Sequence, residues 1–86
     1  MGPTVELVTS KTCPACHQYA PEWAQVVKVA RKLGYQTRVI DVTTCNKKAP
    51  HAIYTPFVSL TRGNQRVVYN GSRTAQGTIE FLRNHM

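Results

Sequence analysis

The sequence predicts an α/β fold with a four-stranded mixed sheet, helices on both faces and the element order β-α-β-(short α)-β-β-α. Two short apolar segments flank a long segment in which apolar residues recur every three or four positions, which is typical of a helix between strands. Further along, two apolar segments flank a Gly-Asn turn that favours an antiparallel hairpin. With 86 residues, the chain is predicted to form one domain, residues 1–86.

The first three elements are predicted to be a strand, a long helix and a second, parallel strand. Alternating apolar residues place the strands at 4–9 and 36–42. Pro14 suits the first turn of the helix and Gly34 suits its C-terminal cap, so the helix should end near residue 33. One apolar stripe marks its buried face: Tyr19, Trp23, Val26, Val27, Ala30 and Leu33. A helical connection favours a right-handed crossover between parallel strands.

The remaining elements are predicted to be a short helix, a hairpin and a closing helix. The polar segment 45–52 is short enough for a turn or a single short helix. Strands at 57–60 and 66–69 flank a turn at 62–65 and should pair antiparallel. Residues 74–85 are predicted to form the closing helix, because four side chains fall on one face: Thr78, Phe81, Leu82 and His85.

The charge of the chain favours some partners over others. Eleven Lys and Arg residues face four Asp and Glu residues, for a formal charge of +7. The basic residues are scattered and not interleaved with aromatic residues, so we expect a solvated basic surface and no nucleic-acid binding. An acidic protein partner is the alternative that this charge favours. No apolar run approaches the roughly 20 residues of a membrane span, so we expect no contact with membranes. We also expect the protein to be a monomer.

Cysteine usage favours a reducing compartment. Cys13 and Cys16 form a natural pair and leave Cys45 alone, and an unpaired thiol fits reducing surroundings. The N-terminal residues lack the pattern of a secretory signal, so we predict a cytoplasmic location. For Cys45 the sequence leaves open a buried or idle thiol and a regulatory or intermolecular disulfide.

The most informative motif is Cys13-Pro14-Ala15-Cys16, between the first strand and the long helix. Two cysteines at this spacing can close a disulfide across one helical turn. Cys13 would lie at the helix N-terminus, where unpaired N–H groups and the helix dipole favour an anion. Such surroundings lower the pKa of a thiol and favour the reactive thiolate. The motif therefore predicts thiol–disulfide exchange without a cofactor.

Four segments, taken in order, resemble the thioredoxin superfamily. The first is the Cys13–Cys16 motif at the start of a helix. Residues 17–23, His-Gln-Tyr-Ala-Pro-Glu-Trp, are similar to the segment after the second cysteine in protein disulfide isomerase domains. Thr55-Pro56 resembles the cis-proline loop of the superfamily, and residues 69–74 resemble the end of disulfide isomerase domains. The resemblance covers nearly the whole chain.

The size of the chain resembles that of the glutaredoxins, although some details differ. Residues 5–14 resemble a glutaredoxin start, but the Gly-Gly and acidic pair that help hold glutathione are absent near the last helix. Thr12 replaces the Trp that precedes the first cysteine in thioredoxin. The resemblance implies a glutaredoxin-sized, thioredoxin-like fold and an oxidoreductase that acts on protein disulfides or dithiols, with glutathione or a reductase as its redox partner.

The resemblance and the positions of the residues imply their roles. Cys13, nearest the helix end, is the attacking thiolate, and Cys16 is the resolving thiol that breaks the mixed disulfide. A cis Pro56 would turn the chain beside the cysteines and leave the backbone of Thr55 free to pair with an extended substrate. A trans proline in an ordinary loop is the alternative.

Three further residues are candidates for tuning the site. Lys11 would favour the thiolate by its charge, with an exposed lysine as the alternative. Arg73 matches a disulfide isomerase arginine that tunes the second cysteine, with a surface arginine as the alternative. Thioredoxins and isomerases also bury a carboxylate on the first strand as a proton acceptor. Counting back from Cys13 puts Leu7 at that position, or Glu6 if the loop has one extra residue.

Other chemistries are left as alternatives to the predicted metal-free redox site. Cys13, Cys16, Cys45 and His51 include the ligand types of a structural zinc site, although their spacing is long for a compact finger. The same cysteines followed by His17 match the c-type haem motif, which the predicted strands disfavour, and Cys13 could bridge a cluster. Within redox chemistry, reductant, oxidant and isomerase are all open, and so is a carrier in a dedicated disulfide relay that docks on an acidic partner.

Overall fold

Residues 2–86 of the computed structural model form four strands and two α-helices in the predicted order. The elements are β1 (Thr4–Thr9), α1 (Pro14–Lys32), β2 (Gln36–Asp41), a 3₁₀ turn (Asn46–Lys48), β3 (Phe57–Arg62), β4 (Gln65–Val68) and α2 (Ala75–Asn84). The predicted strands and long helices are confirmed, with small differences at their ends. Neither helix of residues 2–86 is long and apolar enough to cross a bilayer.

The strands form one mixed sheet in the order β2-β1-β3-β4. β1 is parallel to β2 and antiparallel to β3, so that Val5 pairs with Thr37 on one side and Leu60 on the other. β3 and β4 form the predicted hairpin around Gly63-Asn64, where Gly63 has a φ of 61° that suits glycine. The parallel pair requires a crossover connection, which α1 supplies.

Both α-helices pack on one face of the sheet. Val5 and Leu7 of β1 point to this face and contact the predicted apolar stripe of α1. The hydroxyls of Tyr19 on α1 and Thr78 on α2 lie 2.8 Å apart and join the two helices through a buried hydrogen bond. The rest of this core consists of Trp23, Val26, Ala30, Tyr35, Val58, Leu60, Ala75 and Leu82.

The opposite face is covered by the connection between β2 and β3. The short helix predicted at 45–52 is reduced to a single 3₁₀ turn, Asn46–Lys48. Pro50 explains the difference, because it has no N–H to donate and disfavours helical backbone at Ala49. Ala49 packs instead against Phe57 in a small second core. The second face therefore carries a 3₁₀ turn where the sequence predicted a short helix.

A buried carboxylate lies on this second face. Glu6 of β1 is fully buried and receives hydrogen bonds from Arg38 of β2 and Arg66 of β4, the latter at 3.1 Å. Its Oε1 also lies 2.7 Å from Nε2 of His51, in the loop before β3. Burial raises the pKa of Glu6, but the hydrogen bonds from Arg38, His51 and Arg66 outweigh burial and hold the pKa below its ordinary value.

Removing this carboxylate is expected to weaken the fold most at neutral pH. Because its folded-state pKa is lowered, Glu6 stabilises the fold above its unfolded-state pKa of about 4.3. That contribution is lost as the pH falls through this value towards the folded-state pKa. Glu6→Gln should therefore lower the free energy of unfolding by about 2–4 kcal/mol at neutral pH, and by less in acid.

Urea titrations at neutral pH and at about pH 3 measure this effect. Glu80→Gln, which removes an exposed carboxylate from α2, is the matched control and should change the free energy of unfolding by less than about 0.5 kcal/mol. If Glu6→Gln costs the same at both pH values, the charge of Glu6 does not stabilise the fold.

Candidate active site

The redox motif begins where the loop after β1 turns into α1. Cys13 is the N-cap residue, with extended backbone (φ −100°, ψ 112°), and its Sγ accepts a hydrogen bond from the Cys16 N–H at 3.2 Å. Pro14 follows in the first helical turn, where its missing N–H costs no bond. The sulfur thus occupies the place of the capping oxygen of a Ser or Asp. The capping residue of α1 is therefore also the candidate nucleophile.

The surroundings of Cys13 favour its thiolate. Burial raises the pKa of the thiol, but hydrogen bonds with the side chains of Cys16 and Thr55 and from the backbone N–H groups of Cys16 and Ala15 outweigh burial. The result is a pKa below the ordinary value of a cysteine. The positive end of the α1 dipole acts in the same direction. Cys13 therefore ionises at lower pH than a cysteine in an unfolded chain.

The second cysteine lies one turn further along α1. Cys16 is only 5% exposed, whereas Cys13 is half-buried. The Cys16 N–H donates to the Cys13 sulfur at 3.2 Å, so the two residues are neighbours at the start of α1. A substrate disulfide can therefore approach Cys13 before Cys16, which is the arrangement that attack followed by resolution requires.

The loop before β3 contacts Cys13 from the other side. The Thr55–Pro56 peptide bond is cis, and Sγ of Cys13 lies 3.6 Å from the carbonyl oxygen of Thr55. The neutral thiol donates a hydrogen bond to this oxygen. Thr55 and Cys13 are 42 residues apart in the sequence. The structure thus brings together the cysteine pair and the Thr55-Pro56 segment singled out in the sequence.

Lys11 is exposed, and its charge acts on Asp41. The backbone N–H of Lys11 donates to Oγ1 of Thr43 at 2.7 Å. Hydrogen bonds from Thr43 lower the pKa of Asp41, and the charge of Lys11 lowers it further. The interactions that lower the pKa of Cys13 come instead from neutral groups around its sulfur. The main interactions that lower the pKa of Cys13 do not include the charge of Lys11. The role predicted for Lys11 in favouring the thiolate therefore stays a prediction.

Arg73 lies on the Pro56 side of the site, in the loop between β4 and α2. It is exposed and lines a cavity of about 140 Å³ together with Pro56 and Tyr54. The sequence analysis missed this cavity, because its lining comes from segments distant in the chain. It also missed Ile53 and Tyr54, whose side chains are 84% and 41% exposed. The available signal was an apolar pair next to Thr55-Pro56 that fits no strand pattern.

Glu6 does not lie behind Cys16. Val5 and Leu7 point to the α1 face of the sheet, and alternate side chains of a strand point to opposite faces. The Glu6 carboxylate therefore lies on the face opposite α1, where Arg38 is among its partners. The prediction of Glu6 as a proton acceptor for Cys16 is wrong, and the alternative position, Leu7, carries no ionisable group.

The residues considered for zinc are not brought together. His51 bonds to the carboxylate of Glu6 at 2.7 Å. Within residues 2–86, no group of three or more His, Cys, Asp or Glu side chains is arranged to hold a metal ion. Cys13, Cys16, Cys45 and His51 therefore do not form the predicted zinc site in this part of the chain.

Comparisons with known proteins identify the fold. No family model and no curated protein matches the sequence. Among solved structures, the J-Trx1 fragment of ERdj5 matches 98% of this chain with a TM-score of 0.87 and 22% identity. The chain has a thioredoxin fold. The first thioredoxin domain of mouse protein disulfide-isomerase A4 matches 95% of the chain (TM-score 0.80, 22% identity), and Fasciola hepatica thioredoxin matches 99% (TM-score 0.78, 15% identity).

The thioredoxin fold predicted from the motifs is thereby confirmed. The chain spans 43% of the ERdj5 fragment, 61% of the mouse structure and 82% of the Fasciola thioredoxin. Identities of 22% and below establish the likeness of fold alone. The chemistry of this thioredoxin domain therefore depends on its own side chains.

Cys13 is expected to react with iodoacetamide at lower pH in the folded protein than in the unfolded chain. The reason is its lowered pKa, since only the thiolate is alkylated. Rates of modification at Cys13 between pH 5 and 10, followed by mass mapping, give the midpoint. The same cysteine in 8 M urea is the matched control. Equal midpoints in the two states would show that the hydrogen bonds around Cys13 do not stabilise its thiolate.

Proposed function

We propose that this thioredoxin domain is a dithiol–disulfide oxidoreductase that acts on protein substrates through Cys13 and Cys16. One observation carries the proposal: the half-buried Cys13 sulfur caps α1, accepts the Cys16 N–H and has a lowered pKa. A structural cysteine pair has no need of an accessible, stabilised thiolate. The enzymatic interpretation needs one, because the thiolate is the nucleophile.

The exchange proceeds in two displacements. The Cys13 thiolate attacks one sulfur of a substrate disulfide, and the substrate S–S bond breaks as a Cys13–substrate disulfide forms. The departing substrate sulfur leaves as a thiolate and takes a proton from water. Cys16, after losing its own proton, then attacks Cys13, so that the Cys13–Cys16 disulfide forms and the second substrate thiolate leaves. Two electrons pass from the cysteine pair to the substrate, and the reverse sequence oxidises a dithiol.

Protein substrates fit the surface around Cys13. The carbonyl of Thr55 lies beside the sulfur and can pair with the backbone of an extended substrate segment. Ile53 and Tyr54 next to it expose apolar surface, which suits side chains of a polypeptide. We propose that Thr55 and Pro56 bind substrate in this way, with a reductase or glutathione supplying electrons in the cytoplasm.

A carrier in a dedicated disulfide relay is the second candidate. The surface favours it, because the formal charge is +7 and residues such as Lys47 and Lys48 are exposed in the loop after β2. An acidic partner protein would associate quickly with such a surface, and its binding would weaken with salt. A carrier would react far faster with that partner than with unrelated disulfides, whereas a general oxidoreductase would not.

The Cys13–Cys16 pair is expected to show a reversible two-thiol redox transition. The protein is equilibrated in graded glutathione buffers, trapped with a thiol-alkylating mass tag and weighed. A midpoint near about −270 mV identifies a thioredoxin-like reductant, and one between about −180 and −120 mV an isomerase or oxidant. Cys45→Ser should leave the transition unchanged. A chain in which the pair takes up two tags in every buffer is not a redox enzyme.

Cys16→Ser is expected to accumulate a mixed disulfide with substrate, because Cys13 can still attack but no neighbouring thiol resolves the product. Insulin is a suitable test substrate, and the adduct is measured by mass spectrometry. Cys13→Ser should form none, since Cys16 is 5% exposed and lacks the capping position. An adduct on Cys16 of the Cys13→Ser variant, at the same rate, would reverse the assigned roles.

A further inference from the structure

A cavity of about 140 Å³ lies on the Pro56 side of the candidate active site. Its position is informative, because Pro56 follows the Thr55 carbonyl that contacts Cys13. A side chain of a substrate segment lying along Thr55 can therefore enter it. Its lining combines the rings of Tyr54 and Tyr69, together with Pro56 and Val58, with the polar side chains of Asn70 and Arg73.

Two side chains at this cavity, Asn70 and Arg73, carry hydrogen-bond donors. The hydroxyl of Tyr54 donates to Oδ1 of Asn70 at 3.2 Å, and that of Tyr69 donates to the carbonyl oxygen of Ser72 at 2.5 Å. Because its oxygen is occupied, the Asn70 side chain has its NH₂ group left for a ligand. Arg73 carries donors only. A ligand that pairs with Asn70 and Arg73 must supply acceptors at its end, and its stem can pack against the rings of the two tyrosines.

Arg73 is also a cation without an internal carboxylate. Across residues 2–86, the three ion pairs all converge on Glu6, on the far face of the sheet. Arg73 is exposed in the loop before α2, so its guanidinium can bind an anion that arrives from solvent. A planar guanidinium binds a carboxylate through two parallel hydrogen bonds.

We propose that this cavity binds an acidic side chain of the protein substrate, close to the substrate cysteine. The methylene groups of a Glu would lie against the rings of Tyr54 and Tyr69, and its carboxylate would bind Arg73 and the NH₂ group of Asn70. The inference rests on the proposed function, because the acidic residue belongs to the segment that pairs with Thr55. Glutathione offers the same carboxylate chemistry, and the experiment separates the two sources.

The test uses synthetic seven-residue peptides, each with one cysteine in a disulfide with a common reporter peptide. Each member carries Glu or Gln at one position, from two before to two after the cysteine. Reduced wild-type protein should exchange with Glu peptides about three- to tenfold faster than with Gln peptides at one position. Arg73→Gln should bring this ratio to about one. Arg83→Gln, which removes an equally exposed charge from α2, should preserve the ratio.

Several outcomes would overturn the inference. A Glu-to-Gln ratio near one in the wild-type protein at every position removes the preference. If the Glu-to-Gln rate ratio is unchanged in Arg73→Gln, another residue causes the preference. If the ratio falls as much in Arg83→Gln as in Arg73→Gln, the preference reflects only long-range attraction between charges. If Arg73→Gln slows exchange with glutathione disulfide while the peptide ratio stays near one, the carboxylate belongs to glutathione and not to a protein substrate.

Binding without chemistry separates this inference from the proposed function. The Cys13→Ser/Cys16→Ser protein is titrated with the Glu and Gln peptides, with Ser in place of their cysteine, and amide shifts are followed by NMR. The Glu peptide should shift the amides of Tyr69, Asn70 and Arg73 and bind more tightly than the Gln peptide. Equal binding would overturn the inference even if exchange occurs. Preferential binding without any exchange by the wild-type protein would retain the site and reject the enzyme.

Discussion

The carboxylate of Glu6 is the interaction on which the rest of the fold depends. It is a fully buried charge bonded by side chains from three other segments: Arg38 of β2, Arg66 of β4 and His51 of the loop before β3. A buried carboxylate without these partners would be too costly to keep ionised. Since His51 lies only four residues before Thr55 in the sequence, the same charge helps fix the loop that places the Thr55 carbonyl beside Cys13.

In the candidate active site, one sulfur caps a helix and also carries the proposed nucleophile. The first N–H groups of a helix have no partner within the helix, and the Cys13 sulfur accepts the one from Cys16. A thiolate accepts this bond more strongly than a thiol, so capping α1 and stabilising the nucleophile are the same interaction. The bond from the thiol to the backbone carbonyl of Thr55 opposes it, because that bond exists only in the neutral form, whereas the Thr55 side chain favours the thiolate. The balance of these contacts sets how readily Cys13 ionises.

Local sequence patterns predicted much of the fold and of the site, but they did not predict contacts between residues that are far apart in the sequence. The helix start at Cys13-Pro14 and the hairpin at Gly63-Asn64 depend on neighbouring residues, so the sequence was sufficient. The role of Glu6 was wrong because a shift of one residue on a strand moves a side chain to the other face of the sheet. His51 was considered for zinc because histidine is a common zinc ligand. Its contact with Glu6, 45 residues away in the sequence, is visible only in the folded chain.

Most acidic side chains of this protein are bonded to groups within the molecule. Glu6 is enclosed by cations, Glu22 accepts the Ala75 N–H at the start of α2, and Asp41 is bonded to Thr43. The fourth acidic residue, Glu80, is exposed on α2, and the eleven basic residues leave the chain with a formal charge of +7. Two copies of the chain, each with this net charge, therefore repel each other within a Debye length of about 8 Å in physiological salt. The same net charge favours the approach of acidic polypeptides over that of further copies of the chain.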